Sequence, residues 1–197
     1  MTQKQYYPAS TVDELAHLFE HSSHQSLTFG GIITLEGEIN SEVLGTALNA
    51  ALDLYPKLQC VLVDRYPSII RWFRYAWEYH PTRSEEIMEE IEDIEPDHTA
   101  KDPMHYFRQY HPLHSFDITR QTPLKVLLIR NTGSSHLIFY VHHAATDGLG
   151  LIFFIQTLIQ SYEDIFYQRK KGSTDTVDYS VISKPDIVFR LKHLSPK

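Results

Sequence analysis

The sequence predicts an α/β domain of the α+β layered type, a mixed β-sheet with flanking helices. Two observations carry this reading. Apolar runs such as Leu58 to Val63, Leu124 to Arg130 and Leu137 to Val141 are too brief for ordinary helices and suit strands. The last is continuous enough to be covered on both faces. Elsewhere apolar residues recur at helical spacing, at Val43, Leu44, Ala47, Leu48, Ala51 and Leu52, and again at Leu151, Ile155, Leu158, Tyr162 and Phe166. Strands and helices interspersed in this way pack as layers around one core.

Tyr6-Tyr7-Pro8 opens in extended form. Ser10 or Thr11 caps a short helix to about Glu20, with Val12, Leu15, Ala16, Leu18 and Phe19 as its apolar face. Leu27 to Leu35 reads as a strand, weakened or bulged at Gly30-Gly31. Glu36-Gly37-Glu38 turns the chain into a helix that begins at Ser41 and Glu42 and is ended by Pro56. Strands follow from Leu58 to Val63 and from Ile69 to Tyr75. The acidic stretch Ser84 to Asp93 reads as a short solvated helix edged by Ile87, Met88 and Ile91. From Pro96 to His114, proline, aspartate and histidine predict an irregular connection. Phe116-Asp117-Ile118 and Thr122-Pro123 lead into the strand Leu124 to Arg130. Turn-favouring residues from Asn131 to Ser135 join it to His136–His142 as a hairpin. A long helix, buried nearly all round in its first half, follows Gly148, and a tail from Gly172 is polar at first and then has one apolar run, Ile187-Val188-Phe189.

At 197 residues one domain is expected, large enough to bury a core without disulfides or metal. The net charge of −7 argues against nucleic-acid phosphates as the main partner. Cys60, the single cysteine, rules out an internal disulfide, and its apolar neighbours predict a buried, inert thiol. No stretch approaches the ~18 apolar residues of a membrane span, and no apolar signal stretch opens the chain, so the expected compartment is the cytoplasm. Glycines do not cluster into a phosphate-binding loop. His111 and His114 are spaced for a metal, but Pro112 disfavours a helix that would present both rings.

The chemistry concentrates where a strand ends in His142-His143, followed after a polar turn by Asp147-Gly148 and a helix. Histidine titrates near neutrality, so an imidazole facing a cavity can take a proton from an alcohol, amine or thiol. Adjacent residues of an extended segment point to opposite faces, so the two rings cannot easily share a metal ion. One then faces a cavity and the other is a hydrogen-bonded core histidine. Asp147 stands where a helix N-cap would.

The run His142-His143-Ala144-Ala145-Thr146-Asp147-Gly148 resembles, at every defined position, the His-His-x-x-x-Asp-Gly signature of the condensation-domain and chloramphenicol-acetyltransferase-like acyltransferases. Tyr55-Pro56-Lys57-Leu58 and the segment from Phe116 to Leu124 look like the same superfamily, closest in flavour to its alcohol-acetyltransferase-like branch. The resemblance implies one lobe of the chloramphenicol-acetyltransferase-like fold over residues 1–171, with 172–197 as a tail or crossover toward a missing second lobe. It implies transfer of an acyl group from a thioester, acyl-CoA first and phosphopantetheine second, to an alcohol or amine, with no metal and no permanently bound cofactor. His143 would be the general base. His142, Asp147 and Gly148 would be structural, Asp147 through a salt bridge. Condensation domains often carry an arginine where this chain has Gln59, which leaves Arg65, Arg71 and Arg120 as candidate cations. Rival readings are amide or ester formation on carrier proteins, and a non-catalytic interaction module that keeps the fold. A lone lobe is expected to be inactive, or to pair with a second lobe or itself through an unusually apolar surface.

Overall fold

The computed structural model describes residues 4–37, 39–65, 74–92, 103–110, 116–131 and 134–171. In chain order the elements are β1 (Tyr6–Pro8), α1 (Thr11–Ser23), β2 (Thr28–Glu36), α2 (Ser41–Leu54), a 3-10 turn (Pro56–Gln59), β3 (Cys60–Asp64), β4 (Tyr75–Tyr79), α3 (Ser84–Ile87), β5 (Met88–Glu92), α4 (Pro103–Tyr110), β6 (Leu124–Asn131), β7 (Ser134–His142) and α5 (Gly148–Lys171). The expected mixed sheet flanked by helices is present, accompanied by a second sheet. The larger sheet has the order β2-β7-β6-β5, antiparallel except for β5, which runs parallel to β6. The smaller, β1-β4-β3, is antiparallel.

The larger sheet is covered on both sides, and β7 shows how. Its residues from Ser135 to His142 are all buried. Alternation sends Tyr140 to one side, where its ring stacks on Phe107 of α4 at 5.1 Å and its hydroxyl donates to the Phe107 carbonyl at 2.9 Å. Phe139 goes to the other side, against Phe154 of α5. Helix α5 also packs on α2: the Asn40 N–H donates to the Tyr162 hydroxyl (3.0 Å), and the hydroxyls of Tyr55 and Thr157 meet at 3.2 Å. Each large side chain so enclosed stabilises the fold by roughly 1.5–3 kcal/mol.

Strand β2 pairs with β7 in unbroken register from Thr28↔His142 to Glu36↔Ser134, so the glycine pair makes no bulge. The two glycines do different things. A Cβ on Gly30 would collide with the Phe139 carbonyl and lie 2.7 Å from the Phe107 ring, whereas one on Gly31 would make ordinary contacts with Leu151 (3.6 Å) and Ile155 (3.7 Å). Gly30 is therefore what lets α4 and β7 approach β2.

Helix α1 departs from the sequence reading. Ser10 caps it in a capping box with Asp13, as one of the two expected caps. Most of its expected apolar face is turned outward, with Val12 71% exposed and Leu15, Leu18 and Phe19 each about half exposed, while Ala16 packs on the core. The buried residues are Asp13 and Glu14. The reason is hydrogen bonding. Asp13 accepts from the Trp77 indole (2.8 Å), the Ser10 N–H (3.0 Å) and the Lys57 ammonium (3.0 Å), and Glu14 accepts from the Tyr75 N–H (3.0 Å). Burial opposes the Asp13 charge, but the Trp77, Ser10 and Lys57 donors outweigh it and hold the carboxyl below its usual range.

Two other segments differ from expectation, and a third lies largely outside the described residues. The acidic stretch makes one helical turn, α3, and then the edge strand β5. There Glu89 pairs with Lys125 at 3.4 Å, and Glu90 pairs with Arg130 and accepts from the Ser41 hydroxyl (2.7 Å). The stretch expected to be irregular contains α4; its flanks, and the candidate ligands His111 and His114, lie outside the described residues. Residues 69–73 of the third expected strand also lie outside them, and β4 begins at Tyr75.

Two outcomes follow. Gly30→Ala should cost about 1–3 kcal/mol by overpacking while Gly31→Ala stays within about 1 kcal/mol of the parent, compared by urea denaturation. A depressed carboxyl contributes stability above its unfolded value, 3.8, and loses it as pH falls through the folded value. Asp13→Asn should therefore be less stable than the parent at neutral pH and show a flatter decline below about pH 4 in the same assay.

Candidate active site

The end of β7 is fixed by a buried imidazole. His142 is fully buried, and its N–H donates to the Pro123 carbonyl at 3.0 Å. The Ala144 N–H reaches its Nδ1 at 3.1 Å. A backbone amide only donates, so Nδ1 is the acceptor and the ring hydrogen sits on Nε2. That nitrogen donates to Glu20 Oε2 at 2.7 Å. The other oxygen, Oε1, accepts from the Leu27 N–H at 3.0 Å. His17 lies near this carboxylate. Burial, then His21, holds its imidazole below the ordinary value against the opposing pull of Glu20 and Asp117. At neutral pH it therefore does not compete with His142 as a cation.

His143 has the opposite surroundings. The strand stops at His142, whose carbonyl accepts from the Ala145 N–H at 2.9 Å to close a turn. His143 is the first residue of that turn; its N–H donates to the Leu27 carbonyl at 3.0 Å. Its ring is exposed and rests against Phe29, centroids 5.0 Å apart and planes tilted by 48°. Phe29 shares a strand face with Gly31, the face turned to α5. The two rings thus leave opposite sides of the sheet, as alternation predicts, although a turn rather than the strand itself carries the second.

Asp147 is the N-cap of α5. Its Oδ1 accepts from the Gly150 N–H at 2.7 Å, and its carbonyl accepts from the Leu151 N–H at 3.0 Å. The salt bridge that the resemblance implies is not formed among the described residues. Arg65 stacks its guanidinium over Tyr6 at 3.8 Å, Arg120 pairs with Asp117 at 3.4 Å, and Arg71 lies outside the described residues. Gln59, where the resemblance suggested an arginine, is buried; it donates to the Leu52 carbonyl (2.7 Å) and accepts from the Thr82 N–H (3.1 Å). It joins the end of α2 to the segment before α3. Gly148 borders open space, with nothing within 4 Å of a Cβ placed there.

Beyond the cap, the first half of α5 is not buried all round as the sequence suggested: Leu149, Ile152 and Phe153 stand about half exposed, because no described element packs on that face. Cys60 is fully buried, its thiol pushed up to about 11 by desolvation, and is no nucleophile at neutral pH. Among the described residues no group of His, Cys, Asp and Glu is arranged to hold a metal ion, and no helix is long and apolar enough to cross a membrane. The residue that sequence reasoning missed is Glu20. Nothing near it in the chain signals a partner 122 positions away. If capping is the role of Asp147, Asp147→Ala should destabilise by about 1 kcal/mol and Asp147→Ser should recover most of it in thermal denaturation, whereas loss of an ion pair would not be rescued by serine.

The model of the condensation-domain family matches residues 4–182. Tyrocidine synthase 2 of Brevibacillus parabrevis is 23% identical over 165 residues, which make up 80% of this chain and 4% of that protein. The solved starter condensation domain of rhizomide synthetase is similar at a TM-score of 0.67 and 16% identity, over 88% of this chain and 40% of that one. The first condensation domain of the calcium-dependent antibiotic synthetase, in complex with a substrate analogue, gives 0.68 at 12% identity over 88% and 41%. This chain thus spans about two fifths of those solved chains and a small part of the synthase. With its motif seated at the end of a sheet of the matching fold, and the family model aligned across most of its length, the chain belongs to the condensation-domain family.

Proposed function

We propose that this chain is the motif-bearing lobe of a condensation domain, joining a carrier-bound acyl thioester to an acceptor amine or hydroxyl with His143 as general base. The supporting observation is the contrast between the two histidines. Both nitrogens of His142 are committed to partners and sealed from water, whereas no described residue hydrogen-bonds the ring of exposed His143. In this reading the acceptor attacks the thioester carbonyl and gives its proton to His143. The C–S bond breaks, and the leaving thiolate takes that proton from His143, which restores the base. A thioester is already activated, so a placed base worth roughly 10²- to 10⁴-fold suffices without a covalent enzyme intermediate.

The sequence alone put acyl-CoA first as donor. The family match and the synthases among the similar proteins favour the rival, a thioester on a phosphopantetheine carrier. On this reading, residues 1–171 are the first lobe and 172–197 lead toward the second. The half-exposed Leu149, Ile152 and Phe153, close to the motif turn, fit a surface that another lobe or a second copy covers.

His143→Ala, in the lobe combined with its second lobe, should lower transfer from a carrier-bound thioester by about 10²- to 10⁴-fold with the fold intact. Free acyl-CoA should be a poor donor to the parent protein. Undiminished transfer by the variant would sink the base assignment, and equal use of acyl-CoA would restore the first-expected donor.

A further inference from the structure

We infer that Glu20 is a positioning residue for His143, its one carboxylate anchoring both peptide planes that flank the His143 Cα. The plane between residues 142 and 143 carries the His143 N–H, which donates to the Leu27 carbonyl at 3.0 Å. Leu27 is held in turn by its own N–H to Glu20 Oε1, also 3.0 Å. The plane between residues 143 and 144 carries the Ala144 N–H, which donates to His142 Nδ1 at 3.1 Å. His142 closes this branch through Nε2–H to Glu20 Oε2 at 2.7 Å. Each carboxylate oxygen serves one branch, and the branches end on opposite sides of the same Cα.

Those two planes define φ and ψ of His143, and so the direction of its Cα–Cβ bond. With bond lengths near 1.5 Å, a tilt of about 10° at Cα moves the far ring nitrogen by about 1 Å. A shift of that size in a reacting group costs about 10²-fold in rate. The partners of Glu20 are the Leu27 N–H and the His142 ring, not the ring of His143, so it acts through its two branches. The catalytic consequence rests on the reading of His143 as base; the anchoring does not.

The test compares Glu20→Ala, which empties both branches, with Glu20→Gln, which keeps one oxygen acceptor and presents an amide donor to the other branch. In the 15N-labelled 197-residue chain, long-range nitrogen–proton spectra show which nitrogen of His142 carries hydrogen, and amide exchange reports on His143 and Ala144. The parent should show a single Nε2–H form at His142. Glu20→Ala should mix the tautomers and speed exchange at both amides by at least about tenfold, with amides in the middle of β7 unchanged. Glu20→Gln should keep one amide protected.

With the second lobe present, Glu20→Ala should lower kcat about 10- to 100-fold while KM moves by less than about twofold, and Glu20→Gln should lie between. An unchanged His142 tautomer and unchanged exchange in both variants would overturn the inference. So would faster exchange spread evenly along β7, the mark of simple destabilisation. If the spectra change as expected but His143→Ala keeps full transfer, the anchoring stands and the base assignment is what fails.

Discussion

Because β7 has no side facing water, each polar group along it needs a partner inside the protein. The Ser135 hydroxyl donates to the Gly37 carbonyl (3.2 Å), His136 meets the Thr34 hydroxyl (3.0 Å), and Tyr140 donates to Phe107 (2.9 Å). His142 continues this series with Glu20 and Ala144. The turn closed by Ala145 then releases the chain to the surface, and His143 is the first side chain to emerge. One histidine is sealed and the next exposed because sheet coverage ends between them. The order of the pair is therefore physical: exchanging the environments of the two would leave a buried imidazole without partners or an exposed one without anchorage.

Helix α1 fits this arrangement through its inverted docking. An apolar face would hold the helix non-directionally and tolerate sliding along its axis. Bonds from Asp13 to Trp77, Ser10 and Lys57, and from Glu14 to Tyr75, fix rotation and register instead. Glu20 lies on the same helix, two turns further on. Its carboxylate meets two donors from different segments, which requires that directional precision. The inversion leaves Val12, Leu15, Leu18 and Phe19 about half exposed or more, a cost that the polar contacts on the inner side help to offset.

The sequence was most readable where one periodicity dominated. The apolar residues of α2 and α5, and the hairpin of β6 and β7, formed where their spacing put them. Reading failed where a partner distant in the chain decided the outcome. Acidic β5 is a strand because β6 offers it an edge, with Lys125 and Arg130 to meet its carboxylates. Helix α4 was hidden in a proline- and histidine-rich stretch; Pro103 begins it, and contacts such as Phe107 on Tyr140 seat it against the sheet. For α1, amphipathicity located the helix and mistook its inner face, since the usual rule assumes that apolar residues point inward. At the site, the motif turn and the N-cap position of Asp147 were visible locally. The carboxylate of Glu20 was not, because no spacing rule joins α1 to the end of β7.

On the proposed reading, the same geometry bears on how one lobe contributes to a site shared with another. A general base needs orientation, and it needs a neighbouring wall to exclude water and hold the reactants. The contacts inferred to orient His143 lie within this chain: Leu27, Ala144, His142 and Glu20 close on one another. The described residues supply no such wall: they leave His143 exposed, and the nearby first turns of α5 present apolar side chains to solvent. On the proposed reading the labour therefore divides. This lobe sets the base, while the covering surface brings substrates and dryness, so a change in that surface would alter what reacts without disturbing how His143 is held.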